Sequence, residues 1–275
     1  MPVYAAAAQQ PEFVNTLMPE PAQLTVNSGQ LDLSKNLTVT TDRFRDERLD
    51  STIQRMLVRL AEHTGIRHVL AASPGAAGEA RLLISVAGPG EQVQSLDEDE
   101  SYSLEVNAQG AHLQAMTDVG AIRGLETFLQ LVQTDGRRYF LPFVSIHDQP
   151  RFQWRGLLID CSRHFEPVEV LERTLNAMAA VKMNVFHWHL TDDQGFRIES
   201  RAFPKLTGMG SDGQYYTQRQ AREIVAYARA RGIRVVPEFD LPGHATSWFV
   251  ASALRKSDPV VLGRSVPEQE QNLER

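Results

Sequence analysis

The sequence predicts an α/β protein in two parts, and three observations carry that prediction. Beyond about residue 150, short apolar segments of strand length alternate with amphipathic segments of helix length, joined by short links. That alternation points to a parallel sheet or a (β/α) barrel. Before that point the strands come with a hairpin and two helices, a mixed α+β pattern. With 275 residues, 42% of them hydrophobic, the chain is long for one average domain and rich enough for two cores.

In the first part, LTVT (37–40) reads as a short strand. A helix is expected from about Asp46 to Glu62, because Leu49, Ile53, Met56, Leu57 and Leu60 recur at helical spacing and Gly65 follows as a stop. SPGAAG (73–78) is a turn-rich loop and ARLLISVAG (80–88) another strand. EQVQSLDEDE reads as a solvated acidic loop. SYSLEV (101–106) and AHLQAM (111–116) flank Asn107-Ala-Gln-Gly110 as a hairpin. Asp118 is placed to cap a helix whose apolar face is Ile122, Leu125, Phe128, Leu129 and Val132, with Asp135-Gly136 closing it, and FVSI (143–146) is strand-like. No catalytic pattern stands out, so this part reads as structural or positioning.

The expected boundaries are 19–147 for the first domain, 151–254 for the second and 255–275 for a polar tail, with His147-Asp148-Gln149-Pro150 as linker. GLLIDCSR (156–163) is a near-continuous apolar strand, as when both faces are covered. Pro167 opens a helix with Val168, Leu171, Leu175, Met178 and Val181 on one face. Thr217 and Gln220 form a capping box for a helix at 218–231, with Gly232 at its end. IRVVPEFD (233–240) is a third strand.

The stretch VFHWHLTDDQGFR, from Val185 to Arg197, organises the second part. Side chains alternate along a strand, so Phe186, Trp188 and Leu190 share one face, while Val185, His187 and His189 share the other. Thr191, Asp192, Asp193 and Gln194 then follow as a polar loop at the strand's carboxyl end, where α/β folds collect their chemistry. On the third strand Val236, Glu238 and Asp240 share a side. Isolated charges are costly to bury, so two carboxylates at a strand tip indicate a polar pocket.

Composition narrows the function classes. A net charge of −6 and the lack of a basic cluster argue against nucleic acid and an anionic membrane surface, and no apolar run approaches the ~20 residues of a membrane span. A lone cysteine, Cys161, excludes an internal disulfide and reads as a small buried strand residue. The start, MPVYAAAAQQPEF, is either the remainder of an export signal whose beginning lies upstream or a flexible alanine-rich end. Localisation is therefore open, periplasmic or secreted in the first case.

Three readings fit the pocket. His187-x-His189 with Glu238, Asp240 or Asp192 offers ligands for a hydrolytic metal centre. Arg163, Asp192, Asp193, His244 and Trp248 offer the charged, hydrogen-bonding and aromatic groups that grip a sugar. A pocket that binds without turnover is the third.

The segments RGLLIDCSRHFEPVE, VKMNVFHWHLTDDQGFRIE and YYTQRQAREIVAYARARGIRVVPEFDLPGH resemble the first three barrel strands of family-20 glycoside hydrolases, the β-N-acetylhexosaminidases. The preceding part is similar to that family's small α/β domain. Position 196 is Phe where the family mostly has Trp. The resemblance implies an incomplete (β/α)8 TIM-type barrel of about three β/α units behind a small sheet-and-helix domain. It implies retaining hydrolysis of terminal N-acetylhexosamine residues from oligosaccharides or glycoconjugates, without metal or other cofactor. The substrate's acetamido oxygen is the nucleophile there, an exception to the two-carboxylate pattern, and its fixed proximity supplies the rate advantage.

Carried over by motif, Arg163 holds sugar hydroxyls, Asp192 and His244 support the general acid, and Asp240 belongs to the same network. His189, Asp193 and Glu238 stand behind them. The family's acid and its acetamide-orienting partner form an Asp-Glu pair ending a fourth strand. Here the Asp-Glu neighbours are Asp46-Glu47, Asp97-Glu98 and Asp99-Glu100, all in the first part. About 120 residues follow Arg155, against ~250 for a closed barrel. The expectation is a truncated hexosaminidase, inactive as given, with an open third strand prone to aggregation.

Overall fold

The structure is a computed structural model that describes residues 13–33, 37–66, 69–70 and 80–252. The expected loop at 73–78 and the polar tail lie outside the described residues. The described residues divide into two compact units, those up to Gln153 together with Ala180–Lys182, and Trp154–Ala179 together with those from Met183 to Ser252.

The first unit contains β1 (Gln23–Asp32), β2 (Leu37–Arg43), α1 (Glu47–Thr64), β3 (Val69–Leu70), β4 (Ala80–Gly88), β5 (Tyr102–Asn107), β6 (Gly110–Thr117), α2 (Asp118–Gln130), β7 (Gln133–Thr134) and β8 (Tyr139–Asp148). Its sheet runs β1-β8-β5-β6-β4-β2-β3, with β7 paired to β8. Leu49, Ile53 and Leu60 of α1 and Leu125 and Phe128 of α2 share a core with Val39, Ile84, Leu113 and Ile146 of the sheet. Asp46 caps α1 by accepting from the Leu49 N–H, and Gly65 ends it at φ 71°, a left-handed position that suits glycine.

Several sequence expectations need correction here. Thr117 rather than Asp118 caps α2. Asp118 is instead buried, gripped by the Arg48 guanidinium, and accepts the Gly90 N–H. Asp135-Gly136 lies in the turn between β7 and β8, five residues beyond the end of α2. The acidic loop is not wholly solvated: Glu100 is 6% exposed and accepts from the Arg123 Nε at 2.5 Å. His147 and Asp148, expected in a linker, are the last residues of β8. The long strand β1 was not foreseen, because its alternation of Leu24 and Val26 breaks off into the polar run Asn27-Ser28-Gly29-Gln30.

The second unit contains β9 (Gly156–Asp160), α3 (Val168–Ala180), β10 (Val185–Asp192), β11 (Gly195–Phe196), α4 (Pro204–Gly210), α5 (Gln218–Arg229), β12 (Arg234–Phe239) and α6 (Thr246–Ser252). β10 pairs in parallel with both β9 and β12, and its end folds back against β11. Phe186, Trp188 and Leu190 pack with Leu171, Leu175, Met178, Ile224 and Ala228 from α3 and α5. The capping box of α5 forms as expected.

β9 stops at Asp160, so Cys161, Ser162 and Arg163 belong to a turn. Cys161 itself is fully buried, as foreseen, though in that turn rather than in the strand. Nor is β9 covered on both faces among the described residues, since Leu158 is 49% exposed. Pro237, which has no N–H, fits β12 because that strand pairs on one side only among the described residues.

Candidate active site

Three parallel strands bring their carboxyl ends to one rim. In register, His189 of β10 lies between Asp160 of β9 and Glu238 of β12. Strict alternation would send Asp192 to the Trp188 face. The register with β12 slips between His189 and Thr191, two steps on β10 against one on β12. This bulge turns Asp192 back to the histidine face. β11 then closes a hairpin, pairing Asp192 with Gly195 and leaving Asp193 and Gln194 at its tip. Asp192 is therefore strand, not loop, which corrects the sequence expectation.

Asp192 is 1% exposed, and each of its oxygens has a distinct surrounding. Oδ2 meets the Arg163 Nη2 at 2.5 Å and the His189 Nε2 at 3.1 Å. Oδ1 accepts the Asp193 N–H at 2.6 Å and lies 3.5 Å from the His244 Nδ1. Arg163 is aimed by its own turn: the Ser162 and Arg163 N–H groups both donate to Asp160 Oδ1, and Nη1 donates to Asp160 Oδ2 at 2.7 Å. Partial burial of Asp160 opposes its ionisation, but these Arg163 bonds and the nearby His189 outweigh it and lower its pKa.

His189 has a carboxylate on each ring nitrogen, Asp192 on Nε2 and Glu238 at 3.0 Å on Nδ1. Burial disfavours its charge, but these two carboxylates, with Asp160 nearby, prevail and raise its pKa. The same Glu238 oxygen meets the His187 Nε2 at 2.5 Å. Glu238 and Asp240 titrate as neighbours. Burial works against charge on both, yet His189 holds Glu238 ionised and lowers its pKa, while the adjacent Glu238 adds to burial in raising that of Asp240. Asp193 accepts the N–H and hydroxyl of Thr246, and these bonds with His244 nearby lower its pKa despite partial burial.

All seven site residues inferred from the sequence thus converge, with Asp192 and His189 at the centre. Asp240 joins through Glu238 and His189, and its N–H donates to the Thr191 hydroxyl. Trp248, offered by the sequence as an aromatic for a sugar, lies beside Phe196. It is half-buried, edge-on to Phe196 at 4.9 Å between ring centroids.

Two groups could supply three atoms to a metal, His189 with Glu238 and Asp240, and Asp192 with Asp193 and His244. In the first, both His189 nitrogens already face carboxylates, Asp192 on one side and Glu238 on the other. The His187-x-His189 pair likewise turns both rings to Glu238 rather than to a shared open position.

Sequence reasoning missed three participants. Asp160 was read only as strand, His187 as a metal ligand or a hydrogen-bonding lining without a named partner, and Arg197 was given no role. Arg197 is 5% exposed, and its guanidinium donates to the carbonyls of Ser162, Gln194, Ser211 and Gln214.

Comparison with known proteins bears on this geometry. The profile described as "Glycosyl hydrolase family 20, catalytic domain" matches residues 152–272, and that described as "Glycosyl hydrolase family 20, domain 2" matches residues 15–149. Mouse beta-hexosaminidase subunit beta is 50% identical over 173 residues, covering 61% of this chain and 32% of its own length. The beta-hexosaminidase of Vibrio furnissii is 41% identical over 175 residues, 57% of this chain and 28% of its own length. The structure of Flavobacterium johnsoniae chitobiase superposes with a TM-score of 0.81 at 47% identity, over 86% of this chain and 36% of that one. A Vibrio harveyi exo beta-N-acetylglucosaminidase in complex with N-acetylglucosamine gives a TM-score of 0.71 at 28% identity, over 90% of this chain and 40% of that one. The chain thus spans about a third of the length of these relatives. With profiles for two successive domains of one family matching in order, and the α/β architecture shared, the chain belongs to glycosyl hydrolase family 20.

Proposed function

We propose that the second unit supplies the sugar-holding and proton-tuning side of a retaining β-N-acetylhexosaminidase site, within a (β/α) barrel of which these residues form the first three strands. The substrate class is a terminal N-acetylhexosamine on an oligosaccharide or glycoconjugate. Domain limits near 19–147 and 151–254 fit this division of labour, with the first unit structural.

The observation that carries the reading is the asymmetric environment of Asp192. Arg163 and His189 fix one oxygen, which leaves the other turned toward His244. Such a carboxylate holds a histidine at the rim in one orientation, ready to set the proton affinity of an acid beside it. Half-exposed Arg163 keeps donors free for vicinal hydroxyls, because its planar fork has five N–H groups. With the acetamido oxygen of the substrate as nucleophile, the protein needs no nucleophilic side chain of its own. It must orient the sugar and protonate the leaving oxygen. No Asp-Glu pair stands at a strand end among the described residues, so this chain by itself is assigned binding and tuning with little turnover.

The test is calorimetric titration with N-acetylglucosamine alongside a chromogenic N-acetylglucosaminide assay. Binding that Arg163→Ala abolishes, without turnover, supports the proposal. No binding, or tight stoichiometric zinc, sinks it. Turnover that Asp192→Ala removes refutes the inactive part alone.

A further inference from the structure

We propose that Arg197 is the positioning residue of this site: its buried guanidinium ties the Ser162 turn to the Asp193 hairpin and thereby sets where Arg163 stands relative to Asp192. The inference rests on the reading of Arg163 and Asp192 as sugar-side residues, which it deepens.

A buried arginine normally meets a carboxylate. Among the described residues none lies within ion-pair distance of Arg197, and its acceptors are the backbone carbonyls of Ser162, Gln194, Ser211 and Gln214. Nε and Nη2 both donate to Ser162 O, at 3.1 and 2.9 Å. Nη2 also reaches Gln194 O at 3.3 Å, and Nη1 takes Ser211 O at 2.5 Å and Gln214 O at 3.3 Å. Three separate loops are thus held by one rigid plane, the geometry a fork of donors can satisfy and a single ammonium cannot.

Two of these loops carry the site. Ser162 immediately precedes Arg163, and Gln194 immediately follows Asp193. The Ser162 hydroxyl adds a bond to Gly195 O at 2.7 Å, a second tie between the same two loops. Gly195 makes the arrangement possible: a Cβ there would stand 2.2 Å from the guanidinium carbon of Arg197. The backbone of Arg197 is also pinned, its N–H to Leu190 O and its carbonyl to the Tyr216 N–H, so the side chain has a fixed root. Arg163, by contrast, is half-exposed and depends on its turn for its aim.

The experiment uses the whole 275-residue chain with three variants. Arg197→Lys keeps the charge without the fork. Gly195→Ala keeps Arg197 but fills its passage. Ser162→Ala removes only the second tie. Crystal structures and the 15N side-chain signal of Arg163 are read beside thermal melts and N-acetylglucosamine titrations. The expected result is an unchanged β9–β10–β12 register with the Arg163–Asp192 contact opened beyond the ~4 Å of an ion pair. Sugar binding weakens about tenfold or more for Arg197→Lys and Gly195→Ala, and less for Ser162→Ala. A folded variant that loses only melting temperature while Arg163 still meets Asp192 overturns the proposal. Should the first two fail to fold, Arg197→Gln, which keeps a donor toward Ser162 O but neither the charge nor the fork, decides it by the same contact. If the unaltered chain does not bind the sugar, the reading of the site falls, while the Arg163–Asp192 contact still judges the part played by Arg197.

Discussion

His189 and Asp192 lie three positions apart on one strand and meet at 3.1 Å. A regular strand puts residues at odd separation on opposite faces. The bulge between His189 and Thr191 removes that opposition, so the site depends on one irregular step in β10. It also explains how an apolar strand can end in a buried carboxylate: the turn of the chain delivers Asp192 to Arg163 and His189 rather than to the Trp188 core.

Replacing Asp192 by Asn keeps its volume and its acceptance of the Asp193 N–H, but removes the charge that faces His189 and Arg163. The His189 pKa is then expected to fall toward the ordinary histidine value, because one of the three carboxylates that raise it, Glu238, Asp192 and Asp160, is gone. A side-chain NMR titration of the histidines measures this directly. An unmoved His189 curve contradicts the proposed contact. Sugar affinity is expected to drop at the same time, by about tenfold or more, as a charge-assisted bond to Arg163 is lost.

The pH dependence of stability follows from His189 with a definite sign. Its folded pKa is raised, so its contribution is fully present below the ordinary histidine value of ~6.5 and is lost as pH rises through the folded value. Glu238 acts oppositely, its contribution present above the ordinary glutamate value of ~4.3 and lost as pH falls through the lowered one. Denaturant midpoints measured across pH should therefore decline on the alkaline side, and His189→Gln should flatten that decline. A decline of the same size in the variant assigns it to other groups.

The strand and helix faces were legible from periodicity, while the roles of Arg163, Asp192 and His244 came from the family resemblance. The two faces of β10 follow from alternation alone, and the capping box of α5 from two residue types three apart. What alternation could not show was its own interruption, so Asp192 read as loop. Arg197 was invisible for a different reason: its partners are backbone carbonyls, which leave no residue-type signature. The spacing Gly195-Phe196-Arg197 was the available hint, a glycine two places before a cation on the same face of an extended segment. Glu100 was misjudged because its partner Arg123 is distant in sequence, and a run of acids reads as solvated unless a buried cation is known to face it.

That buried pair yields a sharp test in the first unit. Arg123 is 2% exposed, and its Nε bonds Glu100 at 2.5 Å. Arg123→Met leaves the Glu100 carboxylate buried beside an apolar chain and should cost about 3–5 kcal/mol in urea unfolding. Pairing it with Glu100→Met should recover part of that loss, since the stranded charge goes too. A double variant as unstable as the sum of the singles argues that Glu100 is solvated after all.

The cap of α5 offers a graded case. Thr217 accepts the Gln220 N–H, while the Gln220 side chain accepts the Thr217 N–H, and Glu199 independently accepts the Gln218 N–H at 2.7 Å. Thr217→Ala removes one acceptor from a helix end that keeps another, so its cost belongs at the low end of the usual range, about 0.5–1 kcal/mol. Glu199→Ala on the Thr217→Ala background should then cost more than it does alone, because each acceptor partly covers for the other and losing both leaves the first turn's N–H groups without side-chain partners. Chemical denaturation of the two single variants and the double supplies the coupling energy. Strict additivity sinks the shared-cap account, because it makes Glu199 and Thr217 independent ends of unrelated contacts.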